Sequence, residues 1–192
     1  MEGQRDVKEL VQLAKHRDAH AFSLLYEMVY EDLYRMALYT LGNSHDAEDV
    51  VSDTVLDAYA GIGSLRDEMA FRRWIFKILS NKCKRKLKEY IGKREHEQSL
   101  YDDKDVATTL EETLSNEQDD MKQVLDRDEI GRAFRVLSKE ERLIVTMVVY
   151  AGYDSREVSK ILHKNRNTVR SKYKRALDKL KRQMEKDEEV TV

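Results

Sequence analysis

Proline is absent from this chain, cysteine occurs once and glycine only seven times in 192 residues. With no proline to break a helix and few glycines to loosen one, the composition favours long helices joined by short turns. The lone Cys83 excludes an internal disulfide and any cysteine-rich zinc site, and fits a reducing, cytoplasmic setting. No apolar run is long enough to span a membrane. The opening residues Met1-Glu2-Gly3-Gln4-Arg5-Asp6 hold no apolar segment of the signal type. Histidine is sparse as well. His45-Asp46 is a pair that a metal site can use, but His16, His20, His96 and His163 stand at no supporting spacing. No enzymatic activity, catalytic residue, metal, cofactor or small-molecule substrate is therefore expected.

What the chain has in plenty is charge. Charged residues make up 38% of it and hydrophobic residues 41%, so it can still bury the core of one or two domains. The net charge of −2 conceals segregation. From Asp18 to Asp57 nine acids face Arg35 alone. Residues 66–94 carry +8, residues 95–120 carry −9, and residues 164–186 carry +8 again. Two separate basic blocks predict two separate nucleic-acid contacts, and the acidic blocks predict protein contacts or exclusion from nucleic acid.

Residues 7–41 read as helices, with Phe22, Leu25, Met28 and Val29, then Leu33, Met36, Ala37 and Leu41, spaced for a buried face. Tyr26, Tyr30, Tyr34 and Tyr39 read as core or rim aromatics. Gly42-Asn43-Ser44 ends one helix and caps the next. Over 45–60, Ala47, Val51, Val55 and Ala58 face one way while Asp46, Asp49, Asp53 and Asp57 line the other. That carboxylate stripe suits either a basic partner surface or plain solvation. Residues 61–67 form a loop with backbone freedom on both sides of Ile62. A long helix follows from Phe71 to about Ile91, with Phe71, Trp74, Ile75, Ile78 and Leu79 inward and Arg73, Lys77, Asn81, Lys84 and Lys88 forming a basic row. Cys83 lies among these lysines, which can lower a thiol pKa, but it reads as incidental. From Glu95 to about Asp120 periodicity fades and acids dominate, the mark of a mobile linker. Helix resumes near Val124. Ser138 and Glu141 form a capping box ahead of the apolar face Leu143, Ile144, Met147, Val148 and Ala151.

The stretch Asp154–Leu180 reads as two helices and a tight turn. Val158, Ile161 and Leu162 are the apolar face of the first. Val169, Tyr173, Ala176, Leu177 and Leu180 are that of the second. Asn165, in the turn His163-Lys164-Asn165, can supply the left-handed residue such a turn needs. Arg166, Asn167, Arg170, Ser171, Lys174 and Arg175 share the opposite side of the second helix. A greasy face backed by an Arg/Lys/Asn/Ser face is what a recognition helix in a DNA major groove needs.

Four blocks in order then carry a resemblance: Asp46-Ala47-Glu48-Asp49-Val50-Val51, Phe71-Arg72-Arg73-Trp74-Ile75-Phe76-Lys77-Ile78-Leu79-Ser80-Asn81, Leu137-Ser138-Lys139-Glu140-Glu141-Arg142, and Thr168-Val169-Arg170-Ser171-Lys172. Together they resemble the sigma factors of bacterial RNA polymerase, specifically the extracytoplasmic-function group of the sigma-70 family. The resemblance implies an all-α chain of two small helical domains. Residues 1–94 would bind polymerase and the −10 element, 95–126 would be a flexible acidic linker, and 127–192 would be a helix-turn-helix domain for the −35 element. Asp46, Asp49, Val50, Asp53 and Asp57 would dock on the clamp helices of the largest subunit of core RNA polymerase. The loop with Ile62, Ser64 and Leu65 would pocket a flipped −10 base, and Arg73, Lys77, Asn81, Lys84 and Arg85 would hold that strand. Arg166, Asn167, Thr168, Arg170, Ser171, Lys174 and Arg175 would read the −35 element of promoter DNA. An anti-sigma factor is an implied partner. Group members usually have a small residue near the turn, where His163-Lys164-Asn165 stands here, and an acidic or small pair where Arg166-Asn167 stands. The alternative is a helix-turn-helix regulator that is no polymerase subunit, which accounts for the C-terminus but not for the basic block around Asn81. The linker, about 32 residues at ~3.3 Å each, would span on the order of 100 Å.

Overall fold

Helix boundaries follow the local signals closely. The structure, a computed structural model, describes residues 2–100 and 129–190, and among them every regular element is helical. Helices α1 (Glu2–Lys15), α2 (Ala19–Glu27), α3 (Tyr30–Leu41) and α4 (Ser44–Gly61) lead through two 3-10 turns, Ile62–Ser64 and Glu68–Ala70, into α5 (Phe71–Leu100). The second domain holds α6 (Glu129–Phe134), α7 (Lys139–Val149), α8 (Ser155–Leu162) and α9 (Arg166–Val190). Gly42 turns left-handed at φ 72° to close α3, and the Asn43 side chain accepts the Asp46 N–H to open α4. Ser138 and Glu141 cap each other's backbone at α7, and Asp154 and Glu157 do the same at α8.

Two boundaries differ from the sequence reading. Helix α5 runs on to Leu100 rather than ending near Ile91. Only Gly92 weakens that stretch, a cost of ~1 kcal/mol relative to alanine, among Lys, Arg, Glu and Gln that favour helix. The rest of the expected linker, residues 101–126, and the expected return of helix near Val124 lie outside the described residues. In the helix-turn-helix turn the left-handed residue is His163 (φ 54°), not Asn165. Asn165 instead accepts the Asn167 N–H at 2.8 Å and opens α9. A short polar side chain is worth more as a cap than as a strained turn residue, and His163, exposed, tolerates the left-handed region.

The two domains share one core. Leu25, Leu33, Met36, Ile75, Phe76 and Leu79 of the first join Ile144 and Met147 of α7 in a single apolar cluster. Helix α7 is buried nearly all round, Val145 and Thr146 included, because the first domain covers the side that its own domain leaves open. Across this seam Thr40 and Thr146 share a buried hydroxyl–hydroxyl hydrogen bond of 2.7 Å. The Tyr39 ring lies 5.2 Å from Phe134 and 6.2 Å from Tyr150. Tyr39 is thus a core aromatic, while Tyr30 remains on the rim at 45% exposure. Cys83 is fully buried, and burial pushes its thiol up to about 12, opposite to the lowering that its lysine neighbours alone can give.

Candidate nucleic-acid interface

Helix α9 presents the expected two faces. Val169 and Ala176 are buried and Tyr173 and Leu180 half-buried, while Leu177 escapes at 41% exposure. Arg166, Asn167, Thr168, Arg170, Ser171, Lys174 and Arg175 are all exposed. Arg166 Nε donates to the Ser155 hydroxyl (3.1 Å), and Arg175 Nε to the Ser171 carbonyl (3.3 Å), which steadies both guanidinium groups along the helix. The turn is set by α8: the His163 N–H returns to Lys160 and the Lys164 N–H to Ser159, closing the helix C-terminus.

Helix α5 carries two basic rows, and sequence reasoning saw only one. Lys77 and Asn81 are exposed as expected. Arg73 and Lys84, in the same row, are engaged by the second domain. Arg73 forms an ion pair with Glu157, and Lys84 Nζ donates to the Ile161 carbonyl at 2.7 Å. Burial, then the neighbouring Lys88, holds the Lys84 ammonium below its usual pKa. Beside them the Arg72 guanidinium reaches Asp32 (2.8 Å) and the Tyr150 carbonyl (3.0 Å), and the Tyr153 hydroxyl donates to the Arg73 carbonyl (2.9 Å). The second row, Lys82, Arg85 and Lys86, turns toward α4. Arg85 is therefore placed with the carboxylates of Asp53 (4.0 Å) and Glu89 (3.8 Å).

The loop between α4 and α5 differs in a similar way. Ile62 and Leu65 are buried, so they support the loop from beneath, and Ser64 is exposed with its hydroxyl donating to the Gly61 carbonyl at 2.7 Å. Helix α1 braces this loop through the Lys15–Glu68 ion pair of 2.6 Å.

The carboxylate stripe of α4 is partly spent within the chain. Asp46 is held by Lys86 (2.6 Å) and by the Tyr90 hydroxyl. Asp57 pairs with the nearly buried Lys82 at 2.7 Å, and Asp53 lies 3.6 Å from the same ammonium. Asp49 is exposed and Val50 is core. A cleft of about 330 Å³ opens here, with Asp49, Ser52 and Asp53 on one wall and Lys82, Arg85 and Lys86 on the other. The feature missed in the sequence is Leu56, an apolar side chain left 67% exposed between Asp53 and Asp57. Its signal was available: Leu56 falls on the acidic side of the helical period, where an apolar residue has no core to fill.

Known proteins match this arrangement at both ends of the chain. The family description Sigma-70 region 2 matches residues 25–90, and Sigma-70, region 4 matches residues 127–180. The ECF RNA polymerase sigma factor SigM of Mycobacterium tuberculosis is 30% identical over 179 residues, covering 93% of this chain and 85% of that protein. Among solved structures, CnrH in complex with the cytosolic domain of CnrY is similar with a TM-score of 0.57 at 21% identity, covering 95% of this chain and 99% of that one. The sigma factor RpoE of Bartonella quintana, in complex with the anti-sigma factor NepR, is similar with the same TM-score, 0.57, at 20% identity, covering 85% and 96%.

Proposed function

The chain belongs to the extracytoplasmic-function sigma factors of the sigma-70 family; it binds core RNA polymerase and directs transcription initiation at promoters, and we propose how its surfaces divide that work. Residues 1–94 form the unit that docks on polymerase and takes the −10 element, residues 95–126 connect, and residues 127–192 form the unit that reads the −35 element. The chain acts by binding, in the cytoplasm, and no chemical step is assigned to it.

The observation that carries this reading is the pair of basic faces on separate domains, the exposed face of α9 and the Arg73–Lys77–Asn81–Lys84 row of α5. One face suits duplex DNA in a major groove; the other, beside an exposed loop, suits a single strand held by charge and one specific amide. The polymerase contact falls on the remaining exposed stripe of α4. Leu56 is its apolar anchor, and Asp49, Asp53 and Asp57 surround it with charge complementary to a basic clamp surface. In the loop, Ser64 and the open backbone at Gly63 meet the flipped base, with Ile62 and Leu65 holding the loop's shape. An anti-sigma factor is a proposed partner as well, wedged between the two domains in place of the α3–α7 contact; the Bartonella quintana RpoE structure is that of a sigma factor in complex with an anti-sigma factor.

Three variants of the full chain separate the surfaces. Leu56→Glu is expected to weaken binding to core polymerase by about 2 kcal/mol or more, roughly thirtyfold. Asn81→Ala is expected to keep core binding and lose promoter opening, read by permanganate footprinting. Arg170→Ala is expected to keep core binding and to flatten the preference at one −35 base pair, a loss of ~1–3 kcal/mol of discrimination. Wild-type core affinity in the Leu56 variant, or an unchanged ranking of −35 variants with Arg170→Ala, contradicts the corresponding assignment.

A further inference from the structure

The basic block at residues 164–186 overstates the positive charge that α9 offers to DNA. Two adjacent glutamates in the first turn of α7 reach across to it. Glu140 Oε2 lies 2.5 Å from Lys172 Nζ, and Oε1 lies 2.8 Å from Lys164 Nζ. Glu141 holds Lys179 at 2.9 Å. Lys179 lies two turns beyond Lys172 on the same flank, well along the helix. Lys164 and Lys172 are placed differently. Lys164 sits in the turn just before Arg166, and Lys172 directly follows Ser171, on the flank that borders the exposed Arg175. Among the described residues, Arg170, Lys174 and Arg175 form no ion pair. The two lysines nearest the entering end of the helix are thus neutralised in place, while the groups on the reading face are left uncommitted.

We propose that Glu140 is a specificity-determining residue: it withholds Lys164 and Lys172 from the phosphate backbone, so that promoter binding depends on the reading face of α9. This rests on the reading of α9 as the −35 helix. An uncommitted lysine beside the groove attracts any sequence through counterion release, and on non-cognate DNA, where base contacts do not fix the helix in one register, it is freest to find a phosphate, so it raises competing non-specific binding more than cognate binding. Burial works against the Glu140 charge, but the two ammonium groups outweigh it and hold the carboxyl below its usual range, so the clamp is closed at neutral pH. Glu140 acts through the lysines and touches no base.

The test uses the full chain and two duplexes, one selected from a random library by the wild-type chain and one scrambled, with binding followed by fluorescence anisotropy across a salt series. Glu140→Gln is expected to bind the scrambled duplex several-fold tighter at low salt. Its plot of log K against log salt should steepen by about 0.9 for each lysine released, about 2 at most, and the cognate-to-scrambled ratio should fall. The paired variant Lys164→Gln/Lys172→Gln is expected to leave the wild-type slope unchanged, because those lysines do not reach DNA while Glu140 holds them. If Glu140 merely braces α7 against α9, its loss weakens both duplexes at an unaltered slope, and the proposal fails. It fails equally if the double lysine variant lowers the wild-type slope. Arg170→Ala, run beside them, keeps the parent reading separate. Loss of cognate preference there with no slope change in Glu140→Gln overturns only the role of Glu140; cognate preference intact in Arg170→Ala overturns both.

Discussion

His163 ends α8 in the left-handed region, with φ 54° and ψ 44°. For an L-residue that conformation costs roughly 1–2 kcal/mol, because Cβ crowds the following carbonyl. Its side chain is exposed, so little packing is lost on removing it. His163→Gly relieves the crowding and gives back part of the gain as glycine's extra entropy in the unfolded chain. The variant is expected to stabilise the chain by about 0.5–1 kcal/mol, seen as a higher urea midpoint with an unchanged slope. A lower midpoint means that the imidazole does something the backbone geometry does not reveal. The turn itself should keep its shape, since the Lys164 N–H to Ser159 bond and the Asn165 cap on α9 involve neither the imidazole nor Cβ.

Helix α7 joins the domains, and its start depends on ionised carboxylates. The Glu141 carboxyl is held below its usual 4.5: burial raises it, but Lys179 and the Ser138 backbone and hydroxyl lower it by more. Since the folded value lies below the unfolded one, this contribution is complete above about pH 4.5 and fades as pH falls through the folded value. Urea midpoints by far-UV circular dichroism should therefore drop between pH 6 and pH 3.5, and Glu141→Gln should show the smaller drop of the two proteins. Equal drops would move the acid sensitivity elsewhere, to Glu140, Asp154 or Glu68, whose carboxyls are also depressed. The caps at Ser138, Gly42 and Asn43 were legible in the sequence because each depends on residues within four positions of one another. So were the exposed polar face of α9 and the Lys77–Asn81 part of the α5 row, which need only a helical period. What was not legible depends on what lies opposite. Val145 and Thr146 sit outside the predicted apolar face of α7: Val145 is buried among Phe134, Leu137 and Ala176 of its own domain and Tyr39 of the first, and Thr146 meets Thr40, more than 100 positions away in the chain. Lys82 and Lys86 look like further DNA contacts until α4 is laid against α5, where they meet Asp57, Asp53 and Asp46. Ile62 and Leu65 in the loop have no periodicity at all, so nothing local marks them as core.

At the scale of the whole molecule, the seam between α3 and α7 sets a condition on function. The −10 and −35 elements are read about two helical turns apart, ~70 Å along DNA. With the domains packed together, Arg73 and Lys84 are committed to Glu157 and to the Ile161 carbonyl, while the reading face of α9 stays exposed. On the proposed assignment, duplex binding by α9 is compatible with the packed arrangement, whereas capture of the −10 strand by Arg73 and Lys84 requires the domains to part. A reversible lock tests this. The hydroxyl oxygens of Thr40 and Thr146 lie 2.7 Å apart across the seam, so the two side chains face each other and cysteines there are the natural pair to cross-link. The native Cys83 is buried, with its thiol pushed up to about 12, and should not compete for oxidant in the folded chain. Oxidised Thr40→Cys/Thr146→Cys should bind a −35 duplex as the reduced form does, yet fail to open promoters with core polymerase, and a reductant should restore opening. Equal opening by the oxidised and reduced forms would mean that the seam persists on the promoter and that Arg73 and Lys84 take no part in holding the strand.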